Sequence, residues 1–115
     1  MANVDPWRRS LEQKRALREL AGVVFEAEAR LALNELDAQF QRWRDDAILG
    51  SELIAAIHDF HQQDAQSLWS TYQALKEPEI VARGVVLGLI ATEAVPDQLR
   101  MKLEPLLENF HRTVR

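Results

Sequence analysis

LRELAGVVFEAEARLALNELDAQFQRWR, Leu17–Arg44, decides the fold. Leu17, Leu20, Val24, Ala27 and Leu31 recur at alternating spacings of three and four, the period of one helix face. Leu33, Leu36, Phe40 and Trp43 resume that rhythm after a phase shift. Upstream, Asp5-Pro6 is a helix start: the carboxylate can accept from free backbone N–H groups, and proline suits the first helical position. The pattern predicts a helix from Pro6 to Asp45, about 40 residues and roughly 60 Å at 1.5 Å per residue. A chain of this length has a radius of gyration of only about 13 Å. The helix must therefore bend near Gly22, or its apolar stripe must be covered by a second copy, as coiled-coil pairs do. A homodimer through the N-terminal helix is expected.

Downstream, Gly50-Ser51 signals a second helix start at Ser51, and Leu53, Ile57, Phe60, Leu68, Tyr72 and Leu75 mark its apolar face. Asp64 falls inside that stripe. A buried carboxylate needs a partner, and His61, three residues earlier, is the expected one. Trp43, Trp69 and Tyr72 sit at helical spacing and are read as core.

Pro78 opens a third helix whose apolar residues, from Ile80 to Ile90, cover nearly its whole circumference, making it the buried central helix. Gly84 and Gly88 lie four apart on it and would admit another backbone. Val95-Pro96-Asp97 ends one helix and caps the next, which carries Leu99, Leu103, Leu106, Leu107 and Phe110; Pro105 inside it predicts a kink or restart. The fold class expected is all-α, a single domain over 1–115 with four to five helices and a long N-terminal one.

Composition bounds the function. At 115 residues, 47% hydrophobic and 28% charged, the chain is long enough for one core and too apolar for disorder. The net charge of -4 argues against a primary nucleic-acid binder. Locally, however, Arg8, Arg9, Lys14, Arg15 and Arg18 face only Glu12 between Trp7 and Arg18. Trp7 with Arg8, Arg9 and Arg15 is the expected partner-binding surface, because few residues are available to cover the first turn. The chain holds no cysteine, so thiolate nucleophiles and cysteine metal sites are absent. No apolar segment resembles a signal peptide or spans a bilayer, and a cytoplasmic protein is expected.

The one stretch where charge and titratable side chains coincide lies between Arg44 and Lys76. It lacks lysine and arginine but holds Asp45, Asp46, Glu52, Asp59 and Asp64 with His58 and His61. Spaced three apart, His58, His61 and Asp64 are the candidate metal ligands, since imidazole and carboxylate suit zinc, iron or manganese. Steps of three drift by about 60° each on an α-helix, so the three do not point the same way equally well. Glu108 and His111 form a single Glu-x-x-His where di-iron bundles need two. His58-Asp59 is similar to the dipeptide of HD phosphohydrolases, but those need an earlier histidine and His58 is the first here. The Glu-x-x-Glu and Glu-x-x-Asp pairs of MazG-type pyrophosphohydrolases are missing, as are a phosphate-binding loop and a nucleophile elbow.

Trp43-Arg44, Ile48, Glu52-Leu53, Ile57-His58, Phe60-His61, Trp69, Tyr72, Pro78, Val81-Ala82 and Val95-Pro96 together resemble short uncharacterised bacterial all-helical proteins over roughly residues 43–96. That resemblance implies a compact helical bacterial domain and brings no activity with it. The leading expectation is a non-enzymatic helical interaction or assembly module, a small accessory subunit or regulator. It would be homodimeric, with a protein partner or itself, without cofactor and without membrane. The alternative is a metal-binding protein or metal-dependent enzyme using His58, His61 and Asp64.

Overall fold

Helix α1 runs from Pro6 to Arg44 as one uninterrupted element of 39 residues, continuous through Gly22. The computed structural model describes the backbone of residues 6–114 and the side chains of residues 10–112. Asp46, in the left-handed region at φ 59°, helps turn the chain after α1. Helix α2 (Gly50–Asp59) begins one residue before the expected Ser51, and the Leu49 N–H donates to Glu52 Oε1 at 3.4 Å. A π-helical segment (Phe60–Ala65) joins it directly to α3 (Gln66–Ala74). Helices α4 (Glu77–Val86) and α5 (Asp97–Val114) follow, separated by a 3₁₀ turn at Thr92–Ala94. The protein is all-α, with no strand among the described residues.

The chain divides into two compact units that share α1. The first takes α1 up to Glu26 and resumes at Leu75; the second is Ala27–Ala74. In the first unit, Ala21 and Val24 of α1, Ile80, Val81 and Ala82 of α4, and Val95, Leu99 and Leu103 are all buried. Helix α4 buries Ile80, Val81, Ala82 and Gly84 but ends at Val86, so Leu87–Ile90 of the expected apolar run lie beyond it. Its start is set by Pro78 in the first turn and by the Lys76 N–H, which donates to Glu79 Oε1 at 3.1 Å.

The two glycines of α4 have separate tasks. A Cβ built on Gly84 would lie 2.4 Å from Val24 Cγ2, so the missing side chain is what lets fully buried Val24 sit against α4. Gly88 meets nothing; it takes φ 73° and ends the helix. The Leu89 N–H reaches Gly84 O at 2.8 Å and the Gly88 N–H reaches Val85 O at 3.1 Å, the paired bonds of a Schellman motif. The expectation that Gly84 and Gly88 both admit a backbone is therefore corrected for Gly88. Pro105 lies inside α5 without ending it. Its side chain is exposed, so water can serve the carbonyl that loses its helical donor.

Candidate interaction surface

Within Ala27–Ala74, the distal half of α1 and the α2–π–α3 rod form an antiparallel hairpin. At its closed end a Cβ on Gly50 would be 3.7 Å from Trp43 Nε1. At its open end the Tyr72 hydroxyl donates to Glu28 Oε2 at 2.5 Å, a part-buried bond. Between these ends, Leu36 and Gln39 of α1 line a crevice with Ala56 and Phe60. Leu53 is the one buried residue of the whole unit, at 6% exposure.

The π segment changes which side chains face α1. At a steady helical period Phe60 would be followed on the inner face by Asp64. The i→i+5 bonding of a π-helix accommodates one extra residue, and the half-buried positions become Phe60, Ala65, Leu68 and Tyr72. Asp64 is exposed, so the expectation that it enters an apolar stripe and pairs there with His61 is corrected. Burying an unpaired carboxylate costs several kcal/mol, roughly; a shift of register avoids that and puts an alanine inward instead.

Advancing about 100° per residue from the inward line of each helix separates the hairpin into two faces. Because the helices run antiparallel, the same rotational sense from both inward lines emerges on one side. That side carries Leu33 and Phe40 of α1 with Ile54, Ile57, His61 and Trp69 of the α2–π–α3 rod. Of these, Leu33, Ile54, Ile57 and Trp69 are exposed large hydrophobic residues, Ile54 at 69% and Trp69 at 64%. His61, Ala65, Gln66 and Trp69 line a shallow depression on it. Arg44 overlaps the rim, its guanidinium carbon 5.9 Å from the Phe40 ring centre. The opposite sense of rotation brings out Glu35, Arg42, Glu52 and Asp59, and Asp64 joins Glu35 at the crevice there. The first face is mainly apolar, with Arg30, Asp37 and Arg44 along its α1 rim, and the second holds more of the carboxylates together with exposed Leu31.

This sorting separates the candidate metal ligands. His61 belongs to the apolar side and Asp64 to the charged one, while His58 points away from α1 altogether; all are exposed. Among the described residues no three histidine, aspartate or glutamate side chains gather as a metal group. The candidate partner surface at the N-terminus divides differently. Trp7, Arg8 and Arg9 have side chains outside the described residues, while Arg15 is exposed on α1. Arg18 Nε lies 3.8 Å from Glu77 Oε1, an exposed pair.

Trp43 and Trp69 are corrected from core to surface, at 45% and 64% exposure; Tyr72 keeps its half-buried place. Leu33 and Ile54 also belong to the apolar face. Their signal in the sequence was an excess of apolar residues beside the inward stripe, Ile54 next to Leu53 and Leu33 out of phase with Leu31. No helix among the described residues is long and apolar enough to cross a membrane. No protein-family model, curated protein or solved structure matches the chain.

Proposed function

We propose that this chain is a non-enzymatic helical assembly module, a small accessory subunit or regulator that acts by burying the apolar face of its Ala27–Ala74 hairpin against another polypeptide. One observation carries this: the hairpin holds a single buried residue, Leu53, while Leu33, Ile54, Ile57 and Trp69 remain exposed on one side of it. Two helices alone cannot enclose a core, and helices of this length draw most of their stability from a packed face. Exposed tryptophan beside isoleucine and leucine is the composition of an interface centre, where aromatic anchors are enriched and charge is depleted. The metal-dependent alternative would need a ligand group that the three candidate residues do not form together.

The test pairs light scattering on the full chain with binding of an apolar-surface dye such as ANS. An assembly module shows either a mass above one chain or a folded monomer whose dye binding is abolished by Ile54→Glu with Trp69→Glu. A folded monomer that binds no dye would overturn the proposal, because the face would then be unavailable.

A further inference from the structure

We infer that the occupant of this face is a second copy of the chain, the two Ala27–Ala74 hairpins packing face to face as a four-helix arrangement seamed by Leu33, Phe40, Ile54, Ile57 and Trp69. The inference rests on the assembly reading above and names its partner.

Charge distribution is the first argument. The hairpin holds eight carboxylates, at Glu28, Glu35, Asp37, Asp45, Asp46, Glu52, Asp59 and Asp64, against three arginines, at Arg30, Arg42 and Arg44. Two such hairpins repel least when they meet through the side poorest in carboxylates. The rod contributes none to the apolar face: Glu52 and Asp59 turn the other way, and the π segment keeps Asp64 off it as well. On the α1 side the rim carries Arg30, Asp37 and Arg44, two cations for one anion. A basic partner would instead find its complement on the charged side, with Glu35, Glu52 and Asp59.

Area is the second argument. Ala27–Arg44 spans roughly 27 Å and Gly50–Ala74 roughly 37 Å at 1.5 Å per residue, and side by side they present a face of roughly 600 Å² per copy. Specific, stable pairs bury about 600–1,000 Å² from each partner. The hairpin face sits at the lower end of what a symmetric dimer requires. A unit with so little core needs cover whenever it is folded, and a second copy is the one partner always present with the first.

Sedimentation or light scattering decides it, applied to the full chain, to Ile54→Glu with Trp69→Glu on the face, and to Leu31→Glu on the opposite side. Circular dichroism confirms that each remains helical. The expected result is twice the 13.2 kDa chain mass for the unmodified protein and for Leu31→Glu. The double variant should dissociate, with Kd raised roughly 100-fold or more. If the double variant fails to fold, Trp69→Ser alone supplies the readout through a smaller rise in Kd. A folded monomer that binds dye at the face overturns the second copy while leaving the assembly proposal standing. A dimer that survives the double variant unchanged also overturns it, since another surface would hold the copies together.

Discussion

The two units treat their apolar residues in opposite ways. From α1 the first unit takes Ala21 and Val24, closes them against α4 and α5, and leaves Val24, Val81 and Val95 essentially without solvent contact. The second takes the continuation of the same helix, adds the longer α2–π–α3 rod, and buries only Leu53. The difference lies in the number of layers. Three helices can surround a core, whereas two expose at least one side of their seam. One helix thus supplies fully buried residues in its first half and none in its second.

The largest expected effect breaks the closed unit. Val81→Asp puts a carboxylate at a position without solvent contact and should cost about 4 kcal/mol or more in urea unfolding. Gly84→Ala comes next: its Cβ meets Val24, and overpacking should cost about 1–3 kcal/mol. In the hairpin, Tyr72→Phe removes the donor to Glu28 and should cost about 1 kcal/mol. The smallest change sharpens the comparison. Asp64→Ala should stay within about 0.5 kcal/mol, as for other exposed positions; a gain well above that would restore Asp64 to the apolar stripe and remove the π shift.

Much of the closed unit was legible in the sequence because its signals are local. Proline at the head of α4, glycine at its end and spacing in threes and fours along α1 each act over a few residues. Gly84 and Gly88 look alike in sequence, and only the neighbouring Val24 and the positive φ separate their tasks. Pro105 does not restart α5, because proline's missing donor matters less at an exposed position.

The hairpin was less legible for two reasons. A π segment breaks the constant period on which stripe reading depends, so Asp64 was placed inward and Ala65 overlooked. Periodicity also reports that a face is apolar without saying what covers it. Trp43 and Trp69 satisfy a helical pattern equally well in a core or on an open seam. The histidine and carboxylate cluster dissolved for the same geometric reason: its members lie close in sequence but emerge on different sides of one rod.

Amide hydrogen exchange on the unmodified chain and on Ile54→Glu with Trp69→Glu tests the central claim most directly. Glutamate is a good helix former, so the substitutions do not weaken the rod by propensity alone. If the open seam is covered in solution, amides of Gly50–Ala74 lose protection in the variant by roughly tenfold or more, while those of Glu77–Val86 keep theirs. Equal protection of Gly50–Ala74 in both proteins would contradict the account, because the face would then contribute nothing to holding the hairpin together.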